Sequence, residues 1–167
     1  MADSVAIVGY MGSGKTTLGR LLARSLGREF VDLDRAISKR AGKEIPEIFA
    51  EHGEETFRDL EHEALSDALD TERPCIVACG GGVVIRPENR ALLGDVTTVF
   101  LREATDVLYR RTRAPGRPLR AASRGEFEQR YAERLALYRE VADLEVEVDG
   151  RPPARVTEEV LECLSKR

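Results

Sequence analysis

Apolar positions along the chain fall into two alternating patterns, short runs and helical stripes. Ser4–Val8 is a short β-branched run that stops at Gly9. From Thr16 to Leu26, leucines at 18, 21, 22 and 26 recur at helical spacing, and Gly27 supplies a helix stop. Phe30–Leu33 predicts a second strand, ending at Asp34. Residues 34–41 and 46–70 predict helices, the longer with an apolar face of Phe57, Leu60, Ala64, Leu65 and Ala68. Cys75–Cys79 predicts a third strand, closed by Gly80, Gly81 and Gly82. A short helix from Pro87 to Leu93, a fourth strand at Thr97–Leu101 and a helix over 103–112 follow. Residues 113–126 (RAPGRPLRAASRGE) have no periodicity and carry two prolines and two glycines, so they predict a loop. Phe127–Ala142 reads as a helix and Leu144–Val148 as a fifth, alternating strand. Pro152 and Pro153 then precede a last helix over 156–165.

Strands alternating with helices imply an α/β fold, a parallel sheet covered by helices on both faces. Ligands of such sheets bind beyond the carboxyl ends of the strands. The residues just after each strand are therefore where chemistry is expected. No internal repeat, low-complexity tract or linker interrupts the pattern, so 1–167 is read as one domain.

Composition narrows the class. At 167 residues a chain buries roughly 70% of its unfolded surface, enough for a core without disulfides or a structural metal. With 26 Lys and Arg against 30 Asp and Glu, the net charge is −4. The corresponding pI of about 5.4 argues against a nucleic-acid coat or a polybasic membrane surface. No apolar run approaches the roughly 18 residues that would span a bilayer. The start, MADSVAIVGYMG, has no basic leader region, so no signal peptide is expected. Cys75 and Cys79 sit about 13 Å apart if they share a strand, too far for a disulfide. His52 and His62 are too remote in sequence to complete a zinc site with them. With Cys163, they read as small buried apolar residues of a reduced, cytoplasmic protein. A monomer is the default expectation.

The most specific motif is Gly9-Tyr10-Met11-Gly12-Ser13-Gly14-Lys15-Thr16, which fits G-x-x-x-x-G-K-[ST] between a strand and a helix. Glycines there let backbone N–H groups point at phosphate oxygens, and the helix adds its positive end. Lys15 would neutralise the β- and γ-phosphates, and the Thr16 hydroxyl would meet Mg²⁺. A guanine-reading N-K-x-D is absent, since the sole asparagine, Asn89, precedes Arg90, and no D-x-x-G occurs. A small kinase is the leading class. In FVDLD, Asp32 and Asp34 at i and i+2 would share one face of the second strand. One reading gives Asp32 the metal's water shell and Asp34 the attacking hydroxyl, and the other is a solvated pair capping the next helix.

Other features are ambiguous taken singly. Arg58, in ETFRDLE, reads alone as an exposed partner of Glu55 or Glu61. Gly80-Gly81-Gly82 suits either a close backbone approach to a ligand or a plain loop. Residues 107–125 hold six arginines (110, 111, 113, 117, 120 and 124) and no acid. That stretch fits a lid delivering an arginine to the transferring phosphoryl group. A nucleic-acid patch is disfavoured by the absence of aromatics between 110 and 126. Arg134 looks like a surface residue.

Together, GYMGSGKTT, FVDLD, IPEIFAEHGEETFRDLE, GGGVV, RPL at 117–119 and RLALYREVAD resemble the shikimate kinase family, in order and over nearly the whole chain. The F-R-x-x-E, GGG and R-x-x-L-Y segments carry most of the specificity. The resemblance implies a P-loop NTPase fold, a three-layer α/β/α sandwich with a five-stranded parallel sheet in the order 2-3-1-4-5. It also implies transfer of the γ-phosphoryl group of ATP, with Mg²⁺, to the 3-hydroxyl of shikimate, in aromatic amino-acid biosynthesis by way of chorismate. Asp34 would contact the ring hydroxyls and act as base, and Lys15 and Arg117 would flank the moving phosphoryl group. Arg58 and Arg134 would grip the shikimate carboxylate, with Gly80, Gly81 and Gly82 lining that side. Gly12, Ser13, Gly14, Lys15, Thr16 and Thr17 would hold ATP, with Arg111, Arg117 and Arg151 toward its adenine or phosphates. Thr16, and Asp32 through water, would serve the metal. Residues 34–61 would form a substrate-binding region and 112–126 a lid. A gluconate-type kinase, or a P-loop sensor without catalysis, are the alternatives; the sensor would be expected to have lost Lys15, Thr16, Asp34 or Arg117, and all four are present.

Overall fold

Side-chain alternation in the strands builds the layers. In the central strand β1 (Val5–Val8), Val5 and Ile7 face one side of the sheet and Ala6 and Val8 the other, and all four are buried. The computed structural model describes residues 4–113 and 123–166. Along it run α1 (Lys15–Leu26), β2 (Glu29–Asp32), α2 (Leu33–Ala41), α3 (Ile45–Leu69), β3 (Cys75–Ala78) and α4 (Pro87–Gly94). After these come β4 (Thr97–Arg102), α5 (Thr105–Thr112), α6 (Arg124–Val141), β5 (Leu144–Glu147) and α7 (Pro153–Ser165). The five strands pair in parallel in the order β2-β3-β1-β4-β5, as the family resemblance implies. Both neighbours of β1 are out of sequence order, so the chain reverses direction there and opens a crevice at its carboxyl end.

Two cores hold the sandwich together. On one face, Ile7, Ile76, Val99, Leu101 and Val146 pack against Leu18 and Leu22 of α1 and Val156 and Val160 of α7. On the other, Ala6, Val8, Val77 and Phe100 meet Leu33, Ile37, Phe57, Leu65, Leu93, Leu108, Phe127 and Tyr138 from α2 through α6. Full burial of one such Leu or Ile side chain contributes about 1.5–3 kcal/mol. None of the described helices is long and apolar enough to cross a membrane. All three cysteines are free; Cys75 and Cys79 are buried as expected, but Cys163 is only half-buried.

Boundaries differ from the sequence pattern where caps decide them. The second strand ends at Asp32, not Leu33, because the Asp32 carboxylate accepts from Arg35 N at 3.3 Å and starts α2. Asp34 therefore lies in the first turn of a helix and not on the strand. The stripe over 46–70 conceals a break at Gly53 (φ 81°, ψ 175°), a left-handed geometry natural only to glycine. Helix α6 starts at Arg124, so 124–126 are not loop; Ser123 accepts from Glu126 N at 3.2 Å and caps it. Helix α7 starts at Pro153, since proline at the first helical position lacks an N–H that would go unpaired anyway. Residues 114–122 of the expected loop, with Arg117 and Arg120, lie outside the described residues.

Candidate active site

The loop between β1 and α1 wraps a cleft of about 440 Å³. Gly14 caps α1 at φ 94°, a conformation strained for any residue with a Cβ. Lys15 Nζ donates to the carbonyls of Gly9 (2.8 Å) and Tyr10 (3.0 Å), so the ammonium lies folded over the loop. Gly12, Ser13, Gly14, Lys15, Thr16 and Thr17 all line the cleft, as do Arg111 and Arg151. The Arg111 guanidinium donates to the Gly12 carbonyl at 2.9 Å, which ties α5 to the loop. Arg151 is held by the Glu159 carboxylate and the Glu147 carbonyl at the opposite rim. Thr16 Oγ1 donates to Asp32 Oδ2 at 3.1 Å. That places a hydroxyl and a carboxylate together beside the lysine. Such hard oxygen donors suit Mg²⁺, which keeps most of its waters and takes few protein ligands. Among the described residues, no group of three or more His, Cys, Asp or Glu could cage a metal.

A second cavity, of about 320 Å³, adjoins the first. It is lined by Arg58, Glu61, Gly80, Gly81, Gly82 and Arg134, with Phe57, Ile45 and Met11. Met11, Thr16, Asp34, Gly80 and Gly81 line both cavities. Asp34 therefore stands on the common wall, although it sits on a helix and not on the strand. Its side chain opens to the cleft, yet protein crowds round the carboxyl and strips much of its water. That desolvation pushes its pKa above the ordinary aspartate value, with Asp32 adding to the rise; Lys15 and Arg58 pull the other way.

Arg58 is not the exposed residue that its helical position suggests. Only 6% of it is accessible, because α3 turns that face toward the glycine turn. Its Nη1 donates to Glu61 Oε2 at 2.6 Å and its Nη2 to Glu54 Oε1 at 3.3 Å. Glu61, at i+3, is the partner the spacing allows, and Glu55 is not used. Burial raises the Glu61 pKa, and the Arg58 charge opposes that rise. A charged pair so deeply desolvated is costly unless further polar partners arrive. Glu61 Oε1 and Arg58 Nε are buried with no hydrogen-bond partner.

Gly80 and Gly82 are explained by contact with charged side chains and not by unusual φ. A Cβ on Gly82 would lie 2.6 Å from Arg58 Cζ. One on Gly80 would lie 2.9 Å from Glu61 Oε1 and 3.1 Å from Asp34 Oδ1. Any side chain there would displace the charged groups of the second cavity. Arg134 is half-buried, with Nη1 donating to the Gly81 carbonyl at 3.3 Å and the guanidinium 5.4 Å from the Tyr10 ring centroid. Of the site residues that the resemblance implies, Arg117 lies outside the described residues, and the others line one or both of these two cavities. The sequence pattern gives Glu61 only as a surface partner of Arg58 and gives Tyr138 no role. Both stood inside quoted segments, as the last letters of F-R-x-x-E and R-x-x-L-Y.

Comparison with known proteins agrees with this arrangement. The shikimate kinase family profile matches residues 11–165. A shikimate kinase of Marinomonas sp. (strain MWYL1) is 39% identical over 170 residues, covering 99% of this chain and 93% of its own. The structure of shikimate kinase from Acinetobacter baumannii in complex with shikimate superposes with a TM-score of 0.93 at 32% identity, covering 99% of this chain and 94% of that one. A gluconokinase from Sinorhizobium meliloti 1021 covers 98% of this chain and 91% of its own at a TM-score of 0.60, but at 19% identity it shares only the fold. A match that spans nearly the full chain, on a fold with a P-loop cleft opening into an arginine-lined pocket, makes this chain a member of the shikimate kinase family, an ATP-dependent phosphotransferase.

Proposed function

We propose that the cleft of the P-loop holds MgATP, that the pocket of Arg58 and Arg134 holds shikimate, and that the 3-hydroxyl receives the γ-phosphoryl group across Asp34. One observation carries this division: Thr16, Asp34 and Gly80 line both cavities, so donor and acceptor would meet without either leaving its pocket. The acceptor oxygen forms a bond to the γ-phosphorus while the bond to the β–γ bridging oxygen breaks, giving shikimate 3-phosphate and ADP. Asp34 orients the hydroxyl and takes its proton. Backbone N–H groups of the loop and Lys15 balance the phosphate charge as it shifts. Thr16, and Asp32 through water, would hold Mg²⁺, which would supply charge neutralisation to the phosphates when bound. Arg111 and Arg151, which line the cleft, serve the nucleotide end; Arg117 lies outside the described residues.

The acceptor is a small anion with a carboxylate and three hydroxyls. Two arginines match the carboxylate, each charge-assisted hydrogen bond contributing about 1.5–3 kcal/mol. Backbone groups of Gly80, Gly81 and Gly82 and the Asp34 carboxylate match the rest, within the region 34–61 and the glycine turn. The arrival of a carboxylate also relieves the desolvated Arg58. A coupled ADP-release assay with MgATP and shikimate, gluconate or no acceptor tests this reading. Shikimate-dependent release is expected. Release with gluconate and none with shikimate would overturn the acceptor assignment.

A further inference from the structure

Arg134 and Tyr138 stand one turn apart on α6 and so share a face of the helix. Both reach the same acceptor: Arg134 Nη1 donates to the Gly81 carbonyl at 3.3 Å, and the Tyr138 hydroxyl donates to the same oxygen. A carbonyl oxygen has two lone pairs and accommodates both. Tyr138 is fully buried and does not itself line the acceptor cavity. Its ring stacks on Phe100 of β4, with centroids 5.0 Å apart and planes 21° from parallel. The hydroxyl is thus anchored through the ring to the sheet. Burial pushes its pKa up, so it stays protonated and remains a donor.

The geometry of the glycine turn gives this hydrogen bond its consequence. Three successive glycines have more backbone freedom than any other tripeptide, and no side chain of their own can hold them. Peptide units are planar, and no bond among the described residues is cis, so the Gly81 carbonyl and the Gly82 N–H point in opposite directions. Whatever fixes the carbonyl fixes the N–H as well. The same peptide leads into Gly82, whose Cα abuts the Arg58 guanidinium closely enough to exclude a Cβ.

We propose that Tyr138 is a positioning residue for the acceptor: by holding the Gly81 carbonyl on the α6 side, it locks the Gly81–Gly82 peptide and seats Arg134 and Arg58 around it. The proposal rests on the reading of the second cavity as the shikimate site. It differs from an ordinary core role in that its effect falls on one substrate and not on both.

The test is Tyr138→Phe, which keeps the ring and its stacking and removes only the donor. Steady-state kinetics are measured for both substrates beside a thermal melt, with Arg134→Ala in parallel. The shikimate KM of Tyr138→Phe is expected to rise about three- to tenfold, the scale of one neutral hydrogen bond. The ATP KM and kcat stay within about twofold. An unchanged shikimate KM in a folded Tyr138→Phe, with a raised one in Arg134→Ala, would overturn the proposal and leave the acceptor site standing. Equal rises in both KM values with a lowered melting temperature would assign Tyr138 to structure alone. Should Arg134→Ala also leave the shikimate KM unmoved, the acceptor-site reading fails, and the proposal with it.

Discussion

The two adjoining cavities are made in opposite ways. The P-loop cleft is centred on one contiguous stretch, the loop after β1 and the start of α1, with Asp32, Arg111 and Arg151 joining it from other elements. The acceptor pocket is assembled from side chains on α2, α3 and α6 around a turn that has no side chains. The first is a local structure: it needs a strand, a few glycines and a helix N-terminus. The second exists only when the sheet and its covering helices are in place, because Arg134 of α6 and the glycine turn come to the Arg58–Glu61 pair of α3 through tertiary packing. A backbone site tolerates most side-chain changes outside its glycines, Lys15 and Thr16. A packed ionic site is sensitive to single atoms.

Substitutions can break this contrast at several points. The largest effect is expected for Lys15→Ala, which removes the one side-chain cation of the loop itself; turnover should drop at least ~10³-fold with both substrates saturating. Residual activity near the wild-type rate would remove the lysine from the mechanism. Asp34→Asn, on the wall between the cavities, should lower kcat about 10²- to 10⁴-fold and leave ATP affinity within twofold, as calorimetry with ATP would show. A kcat close to wild type would end its role with the hydroxyl. Gly82→Ala places a methyl group against Arg58 and should raise the shikimate KM about tenfold or more while the ATP KM holds. Parallel changes in both constants would mean that the two cavities are one unit and not two.

Glu61→Gln keeps the shape of the pocket and removes the charge facing Arg58. A several-fold rise in shikimate KM is expected, about 1 kcal/mol, with no effect on ATP. The smallest effect concerns pH. Because the Asp34 pKa lies above its ordinary value, the ionised form is lost at a higher pH than for a free aspartate. The acid limb of kcat/KM should therefore sit above about 3.9. A limb at or below that value would show that Asp34 is not the titrating group.

The same contrast explains what could be read from the chain. Residues 9–17 were legible because the motif, its preceding strand and its following helix are all local. The sheet was legible because runs such as VAIV and CIVA have no polar face to confuse. Arg58 was not, since an arginine three residues before a glutamate usually marks a solvated helix face. Its burial depends on how α3 lies against the glycine turn, and no local pattern encodes that angle. The break at Gly53 was hidden for a related reason: the apolar stripe continues on both sides of it. Asp34 was assigned to the right place on the wrong element. The side chain of Asp32 both ends the strand and starts the helix, and the distinction lies in one hydrogen bond to Arg35 N.

The wall shared by the two cavities has a consequence for ligands made by design. A molecule that joins an adenine nucleotide to a cyclitol acid would gain the advantage of tethering, in which the second half binds at an effective concentration set by its linker. On the proposed division of the two cavities, the linker would pass between Asp34, Thr16 and Gly80 and be no bulkier than the phosphate chain it replaces. A linker with a branched waist would meet Gly80, where even a Cβ would lie 2.9 Å from Glu61 Oε1 and 3.1 Å from Asp34 Oδ1. The wall that the two cavities share is therefore where the bulk of such a linker meets protein first.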